Sequence, residues 1–437
     1  MNDVLHTDLY QITMAAGYFH HGMHDRPACF HLYYRRPPFG GTHVITAGLR
    51  TAVDWLTAFE IDDASVDHLA TLTGGDDKPL LAPEFLRFLR GRKLTVDVDA
   101  MPEGTAAFPR QPIVRVTGPL WQCQWIESFL LCVINFQTLI ATKAARVCDA
   151  AGDDPVLEFG MRRAQGIDGA MSASRAAFIG GCAATSHVAA GRRFGIPVRG
   201  THAHSWVMSF DDEPTAFDAY ADAMPNNGVF LVDTHDTIQG VENAIRTGRR
   251  LSDRGHRMIG IRLDSGDLAE LSIRARRRLD ESGFADAAIV ASNDLDEHRI
   301  ADLKRSDATI GVWGVGTRLV TGGDTPALGG VYKLGAIRDN EGRWVGKRKH
   351  SDDPIKASIP GRLGVRRTND GDTIHDIDDP SPPDGNELVR PVLRNGRVVE
   401  APPELSAIRS YAASQRRWIA DHLDHPCRLS DALKVRL

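Results

Sequence analysis

The chain lacks the signatures of a metal-centred, secreted or membrane protein. Its six cysteines are scattered, and they form no Cys-x-x-Cys pair or Cys/His metal spacing, so we expect reduced thiols. The first residues have neither the basic start nor the apolar run of a signal peptide. The most apolar long segment, 120–151, carries Glu127, Lys143 and Arg146, which predicts a buried helix rather than a membrane span.

The sequence also has no repeats, no coiled-coil heptads and no clear phosphate-binding loop of the Gly-x-x-x-x-Gly-Lys-Ser/Thr type. The formal net charge of −5 argues against wholesale nucleic-acid binding, so any anion site must be a local cluster of cations and backbone N–H groups. The 437 residues, 42% of them hydrophobic, are enough for two or three domains. We therefore expect a cytoplasmic globular protein that binds neither nucleic acid nor membrane.

Three regions differ in their pattern. Residues 1–119 mix short strands and helices, which predicts an α+β domain, completed by strands near 330–350. In residues 120–329, short apolar strands alternate with helices, which predicts a parallel α/β sheet, either closed as a barrel or open. Residues 330–437 are rich in Asp, Pro, Gly and Arg, and we interpret them as a small C-terminal region.

The predicted α/β region contains six strands, at 155–159, 197–199, 229–232, 258–263, 288–291 and 310–313, with a helix predicted for 172–193. In both a barrel and an open sheet, binding sites lie at the carboxyl ends of the strands. Polar or glycine-rich residues follow all six predicted strands, at 160–166, 200–205, 233–236, 264–267, 292–294 and 314–317. This placement predicts the functional site.

Some of these residues have a specific chemistry. Gly314, Gly316 and Thr317 resemble a phosphate cradle, because glycines let backbone N–H groups face an anion. Asp233 and Asp264 suit ribose hydroxyls or Mg²⁺, with Asp267 or Ser265 left to cap the helix that begins near Leu268.

Several cationic or titratable residues leave alternatives open. Arg262 interrupts an apolar strand and must have an anionic partner, either a protein carboxylate or a ligand carboxylate that suits its planar fork. Arg162 and Arg163 either bind phosphate or form a solvated charge pair. His204 stands among small residues at a strand end, which favours chemistry over a structural role, with His202 as the local competitor.

Taken together, these segments resemble the nicotinate phosphoribosyltransferases over nearly the whole chain. The resemblance is carried by residues 7–11, 35–41, 158–166, 200–205, 262–268, 314–317 and 328–334. Each segment alone is weak evidence for the family, whereas their order and spacing together are a specific pattern. The resemblance implies a type II phosphoribosyltransferase: an irregular α/β barrel with an N-terminal α/β (α+β) domain and a small C-terminal domain, in a homodimer whose subunits share the active site.

The resemblance also implies a reaction. Nicotinate and phosphoribosyl pyrophosphate would give nicotinate mononucleotide and pyrophosphate in NAD biosynthesis or salvage, with Mg²⁺ and coupled ATP hydrolysis. The alternatives are a nicotinamide phosphoribosyltransferase, which shares the fold, and a non-catalytic barrel that binds nucleotides. A quinolinate enzyme fits less well, because it would not need a phosphohistidine.

By position in the family motifs, the resemblance implies a role for each site residue. Tyr10 of the partner subunit and Phe159 would stack on the pyridine ring, and Arg262 would lie near the substrate carboxylate. Arg162 would lie near phosphate, Thr201 and Ser205 would contact substrate, and Asp233 and Asp264 would hold ribose, pyrophosphate or Mg²⁺. Gly314, Gly316 and Thr317 would hold the 5′-phosphate, and His204 would be the phosphohistidine. Arg318 departs from the motif, where a smaller residue is expected, and it is either a further phosphate contact or a surface residue.

Overall fold

The computed structural model describes residues 3–349, 353, 355–422 and 425–436. The chain packs as two compact units, one formed by Met1–Leu139 with Ala327–Leu437 and the other by Ile140–Pro326. The division into domains at 1–119, 120–329 and 330–437 stays a prediction, because packing alone does not show which parts fold independently.

The first unit contains these helices: α1 (Leu9–His20), α2 (Leu49–Ala58), α3 (Asp63–Ala70), α4 (Pro83–Leu89), α5 (Leu120–Trp125), the first half of α6 (Glu127–Ala151), α15 (Leu405–Ala420) and α16 (Asp431–Lys434). Its strands are β1 (Pro27–Tyr34), β2 (Val44–Ile45), β3 (Asp97–Ala100), β4 (Ala106–Ala107), β5 (Val114–Pro119), β12 (Gly330–Arg338), β13 (Trp344–Gly346), β14 (Leu363–Thr368), β15 (Gly371–Asp376), β16 (Asn386–Glu387), β17 (Arg390–Arg394), β18 (Arg397–Val398) and β19 (Cys427–Leu429).

The main sheet of this unit is antiparallel, in the order β13-β12-β1-β5-β3-β17-β18. Strand β12 runs along the length of β1, from Ala28 opposite Ile337 to Tyr34 opposite Gly330. A smaller sheet has the order β16-β14-β15-β19, and β2 pairs with β4. Segments distant in sequence therefore share one hydrophobic core, in which the Phe30 and Tyr332 rings stack with centroids 5.0 Å apart.

The second unit contains the second half of α6 and these helices: α7 (Gly166–Gly180), α8 (Val188–Phe194), α9 (His204–Met208), α10 (Glu213–Ala223), α11 (Thr237–Asp253), α12 (Leu268–Glu281), α13 (Glu297–Arg305) and α14 (Thr317–Val320). Its strands are β6 (Val156–Glu158), β7 (Ala184–Thr185), β8 (Val229–Leu231), β9 (Gly260–Leu263), β10 (Ala288–Ala291) and β11 (Val312–Val315). All pair in parallel, in the order β7-β6-β11-β10-β9-β8. The predicted α/β class is confirmed.

An irregular segment, 197–202, contacts both edge strands of this sheet. On one side, Thr185 N donates to the carbonyl of Pro197 and Arg199 N donates to the carbonyl of Thr185, each at 3.0 Å. On the other side, the Thr201 hydroxyl donates to the carbonyl of Val229 at 3.0 Å, and Leu231 N donates to His202 Nε2 at 3.3 Å. One irregular segment therefore contacts both edge strands through backbone and side-chain hydrogen bonds, and no regular strand lies between them in the described chain.

Two predicted elements of this unit were wrong. Residues 197–199 form only an isolated bridge between Thr185 and Val198 and not a strand. The predicted helix 172–193 is broken, because α7 ends at Gly180 and Gly181 takes φ +128°, which L side chains rarely adopt. Strand β7 and helix α8 follow.

Helix α6 is, among the described residues, the one helix whose length and composition would allow it to cross a membrane. In its most apolar window, 67% of the residues are buried inside the protein. The core helix of a globular domain has the same composition, so this helix alone is weak support for a membrane span.

Candidate active site

The carboxyl ends of β8, β9 and β10 bring two carboxylates together. Asp233 accepts hydrogen bonds at Oδ2 from Asp264 N at 2.8 Å and from the Ser265 hydroxyl at 2.7 Å. Asp264 in turn accepts at Oδ1 from the Ser292 hydroxyl. Asp233 Oδ1 is buried and has no hydrogen-bond partner in the part of the chain that the structure describes. Each carboxylate is oriented through one oxygen, which leaves the other oxygen for a ligand.

These oxygens suit hydroxyl groups or a hard cation such as Mg²⁺, which prefers carboxylate oxygens. The described residues include no cluster of three or more His, Cys, Asp and Glu side chains that would hold a metal by themselves. Asp233 and Asp264 fit a Mg²⁺ ion that takes its remaining ligands from water and substrate phosphates. The neighbouring Asp267 accepts at Oδ1 from Ala269 N and Glu270 N at the start of α12, which confirms the predicted cap.

His204 is the first residue of α9, and its ring lies near Asp264. Its Nδ1 lies 3.1 Å from the Thr234 hydroxyl, and its Nε2 lies 3.7 Å from Asp264 Oδ2. The side chain is 39% exposed, so a ligand can reach the ring. His204 therefore has the access and the polar surroundings that the sequence predicted for a reactive histidine.

His202 has the opposite environment. Its Nε2 accepts from Leu231 N, its Nδ1 lies 3.4 Å from the carbonyl of Ala203, and its ring packs edge-on against Tyr220. Burial lowers the pKa of His202 to about 4, so the imidazole is neutral at physiological pH. The structure therefore gives His202 a buried, hydrogen-bonded environment, as expected for a structural histidine.

Arg262 projects from β9 toward the same region. Its Nη2 donates to the carbonyl of His202 at 3.0 Å, while its Nε is buried without a hydrogen-bond partner in the described chain. Burial lowers the pKa of the guanidinium; Asp264 and Asp233 oppose that shift, and the like charge of Arg162 adds to it. The cation is thus held near two carboxylates and a second arginine, with hydrogen-bonding capacity left for an anion.

The ends of β6 and β11 are packed tightly against each other. Phe159 N donates to the carbonyl of Val315 at 2.8 Å, and a Cβ added at Gly314 would lie 2.7 Å from the Phe159 ring. Gly314 therefore leaves space for the ring of Phe159. For Gly316 the nearest such contact is 3.3 Å, and Thr317 begins the short helix α14 with an exposed side chain. The role of Gly314, Gly316 and Thr317 as a phosphate cradle stays a prediction.

Of the other predicted residues of this unit, two are exposed and two use their side chains in contacts within the protein. Arg162, in the single 3₁₀ turn Met161–Arg163, and Ser205, in the first turn of α9, are exposed and available to a ligand. Thr201 uses its hydroxyl to bond the carbonyl of Val229. Arg318 forms ion pairs with Asp294 at 3.7 Å and Asp324 at 3.0 Å, so it follows the surface alternative.

Tyr10 belongs to α1 in the first unit. The buried neighbour Gln11 anchors this helix by donating to Glu127 Oε2 at 3.1 Å. Leu9 and Tyr10 are left 52% and 50% exposed. The predicted stacking residue is therefore an accessible aromatic side chain on a well-anchored helix.

Sequence reasoning missed the hydroxyl groups that orient the site. Thr234 contacts His204, Ser265 contacts Asp233, and Ser292 contacts Asp264. All three lie at strand ends noted for their polar character, and the pairing partners depend on tertiary structure. A conformational signal follows Ser292, since Asn293 and Asp294 take φ values of 95° and 38°, which are uncommon for residues other than glycine.

The fold and the site together define a class of protein: an α/β enzyme in which carboxylates, hydroxyls and arginines collect at the ends of parallel strands, where such folds place their binding sites. Residues 5–135 match the family model for the N-terminal domain of nicotinate phosphoribosyltransferase. The chain is 49% identical over 364 residues to the nicotinate phosphoribosyltransferase of Bacillus subtilis (strain 168), covering 83% of this chain and 72% of that protein. It therefore belongs to the nicotinate phosphoribosyltransferase family.

More distant relatives agree. The chain is 41% identical over 417 residues to nicotinate phosphoribosyltransferase pncB2 of Mycobacterium tuberculosis (strain ATCC 25618 / H37Rv), covering 94% of this chain and 86% of that protein. The crystal structure of human nicotinic acid phosphoribosyltransferase matches with a TM-score of 0.82 and 31% identity, covering 98% of this chain and 99% of that one. A nicotinate-nucleotide pyrophosphorylase from Pyrococcus furiosus, with a TM-score of 0.74 and 21% identity over 95% of both chains, shows the fold alone.

Proposed function

We propose that this chain is a cytoplasmic enzyme of NAD biosynthesis or salvage that transfers the phosphoribosyl group of phosphoribosyl pyrophosphate to nicotinate. The products are nicotinate mononucleotide and pyrophosphate. The observation that carries the proposal is Arg262, a partly buried guanidinium beside Asp233 and Asp264 whose buried Nε has no hydrogen-bond partner in the described chain. A carboxylate on a flat aromatic ring satisfies such a group through paired N–H···O bonds. Membership of the family supports the same substrate.

Each part of the substrate pair has residues suited to it. The ring of Phe159 supports one face of the pyridine, and Arg262 bonds its carboxylate. Asp233 and Asp264 take the ribose hydroxyls through their free oxygens, and Arg162, Gly316 and Thr317 take phosphate. Thr201 and Ser205 line the segment before and at the start of α9, next to His204.

The chemistry then needs little beyond positioning and charge. The pyridine nitrogen attacks C1 of the ribose with its own lone pair while the bond from C1 to the pyrophosphate oxygen breaks, so no general base is required. Positive charge develops on the ribosyl ring, and pyrophosphate leaves with the bonding electrons. Asp233 and Asp264 stabilise the ribosyl cation, and the arginines stabilise the leaving diphosphate. A Mg²⁺ ion, when bound, supplies further charge to the leaving group.

We further propose that His204 couples the reaction to ATP. The side chain is 39% exposed, its Nδ1 lies against the Thr234 hydroxyl, and its Nε2 lies 3.7 Å from Asp264 Oδ2. The Nε2 lone pair attacks the terminal phosphorus of ATP, the phosphorus–oxygen bond to ADP breaks, and hydrolysis of the resulting phosphohistidine regenerates the imidazole. A phosphorylated His204 would add negative charge close to Asp264 and change how tightly the site binds its substrates.

The proposed assembly is a homodimer in which the Tyr10 side chain of one copy completes the pyridine site of the other. Half-exposed Leu9 and Tyr10 on a well-anchored helix suit such a contact, because large apolar side chains gain most when a partner covers them. Sedimentation equilibrium measures the dimer, and mixing Tyr10→Ala with Arg262→Ala protomers tests the sharing. Recovery of activity in the mixture supports a shared site, and no recovery contradicts it.

The test of the reaction is direct. Purified protein is incubated with phosphoribosyl pyrophosphate, Mg²⁺ and either nicotinate or nicotinamide, with and without ATP, and mononucleotide, pyrophosphate and phosphate are measured. Product from nicotinate that increases with ATP supports the proposal. Product only from nicotinamide assigns the other substrate to the same fold, and no product from either favours a non-catalytic nucleotide-binding barrel.

A further inference from the structure

Glu158, the last residue of β6, is a buried acidic residue that the reaction does not use. Its side chain is 1% exposed. The carboxylate accepts hydrogen bonds from the Ser174 hydroxyl at 2.8 Å, from the Thr185 hydroxyl at 2.6 Å and from Gly160 N. None of these donors is cationic, and in the described ranges Glu158 forms no ion pair. Burying a carboxylate without a cation is costly, so its three donors must converge on it to keep it there.

The two oxygens of Glu158 hold different elements. Oε2 accepts hydrogen bonds from the hydroxyls of Ser174 in α7 and Thr185 in β7, and these two bonds fix the orientation of the carboxylate. The Thr185 hydroxyl is itself held, since it accepts from His187 N at 2.9 Å. Oε1 accepts from Gly160 N, in the turn directly after β6. The carboxylate therefore links that turn to two neighbouring elements of the unit.

Gly160 sits between the residues proposed to hold substrate. It follows Phe159, and it leads into the turn that carries Arg162. The space around it is closed, since a Cβ at Gly160 would lie 2.2 Å from Val320 Cγ1 and 3.0 Å from the carbonyl oxygen of Gly316. The peptide at Gly160 is thus held in two ways, by close packing and by the hydrogen bond from its N–H to Glu158. Moving it would break that hydrogen bond.

We propose that Glu158 is a positioning residue, which sets the place of Phe159 and Arg162 by accepting the hydrogen bond of Gly160 N. The inference rests on the proposed function, because it takes those two side chains as substrate contacts. To hold the turn, residue 158 must supply an oxygen that accepts the hydrogen bond of Gly160 N, and its negative charge is secondary. An amide oxygen supplies the same acceptor, since the hydroxyls of Ser174 and Thr185 can rotate to accept from the amide nitrogen.

The experiment compares three variants of the full chain. Glu158→Met keeps the volume and removes the acceptor, Glu158→Gln restores it, and Ser174→Ala removes one donor to the same carboxylate without touching Gly160. In Glu158→Met we expect the KM for nicotinate and for phosphoribosyl pyrophosphate to rise at least about tenfold, with kcat within about threefold, because substrate contacts are lost equally from ground and transition states. Glu158→Gln should stay within about threefold of the wild type, and Ser174→Ala within about twofold.

Hydrogen exchange at Gly160 provides a readout that does not depend on catalysis. Its amide should exchange at least about tenfold faster in Glu158→Met, and at close to the wild-type rate in Glu158→Gln and Ser174→Ala. If Glu158→Met does not fold, Glu158→Asp replaces it: the charge is kept while the carboxylate is drawn away from Gly160, and KM and exchange should rise together.

Three outcomes would overturn the inference. A KM in Glu158→Met no higher than in Ser174→Ala would make Glu158 merely structural. A Glu158→Gln variant as impaired as Glu158→Met would show that charge and not the acceptor matters. Unchanged exchange at Gly160 would mean that Glu158 does not hold the turn. If instead the wild-type chain makes no product from nicotinate, the proposed function fails, while the exchange contrast still decides whether Glu158 anchors Gly160.

Discussion

Removal of the Arg262 guanidinium gives the sharpest test of how this site recognises its substrate. The group is partly buried, and within the described chain its hydrogen bond to the protein runs from Nη2 to the carbonyl of His202, while the buried Nε has no hydrogen-bond partner. If it pairs with the nicotinate carboxylate, Arg262→Ala leaves that carboxylate desolvated and unpaired. Nicotinamide is neutral and would lose much less.

The expected size follows from the burial. Losing one partner of a buried, hydrogen-bonded charge pair costs about 2–5 kcal/mol. Each factor of ten in affinity corresponds to about 1.4 kcal/mol, so the lower end of that range already exceeds a tenfold change. Water entering the space left by the side chain would recover part of the loss. We therefore expect the KM for nicotinate to rise between about tenfold and several hundredfold.

The assay measures initial rates with nicotinate and with nicotinamide. As the KM for nicotinate rises, the preference for nicotinate over nicotinamide should fall. Arg257→Ala is the matched control, because Arg257 is an exposed arginine just before the opposite end of β9. That variant should keep the wild-type KM. A shift of less than twofold in Arg262→Ala, or an equal loss for both substrates, would refute the role given to the guanidinium.

Three further predictions concern other residues. His204→Asn should keep ATP-independent transfer and lose stimulation by ATP, measured as product formed with and without ATP; full stimulation in the variant would rule out the phosphohistidine. Gly160→Ala should lower the free energy of unfolding by about 1–3 kcal/mol, because the added Cβ clashes with Val320. The control Gly17→Ala adds a Cβ in α1 with nothing within 4 Å, and it should leave the free energy of unfolding equal or higher by up to about 1 kcal/mol. Equal denaturation midpoints for the two variants would contradict the packing argument. The pKa of His202 is about 4 in the folded chain and higher when unfolded, so between pH 6.5 and 4 the unfolded chain binds the extra proton and stability falls as the pH is lowered. In His202→Gln, denaturant unfolding at a series of pH values should show a fall in stability that is shallower by up to about 1.4 kcal/mol per pH unit. Identical slopes in the two proteins would count against a neutral His202.

Much of the site could be read from the sequence because parallel sheets impose a simple rule. Strands covered on both faces are apolar, and the polar residues that follow them collect at one edge. This rule predicts a site that contains Asp233, Asp264 and His204, and in the structure these residues contact one another in sequence, Asp233 with Asp264 and Asp264 with His204. It also pointed to Arg262, since an arginine inside an apolar strand requires a partner.

The same reasoning failed where the local pattern was ambiguous. The apolar, alanine-rich segment around Gly181 has the composition of one long helix, whereas in the structure α7 ends at Gly180 and Gly181 takes φ +128°. The two histidines of the 200–205 segment were likewise indistinguishable by spacing. Burial against Tyr220 made one of them structural, and exposure made the other accessible.

The sequence by itself determined the α/β class and the collection of polar residues, among them Asp233, Asp264 and His204, at the ends of the strands, because periodicity and composition are local properties. Tertiary structure decided which groups pair. It assigned Ser292 to Asp264 and Thr234 to His204, and it gave Glu158 its three donors. Those choices depend on contacts between residues far apart in the chain, and no local pattern records them.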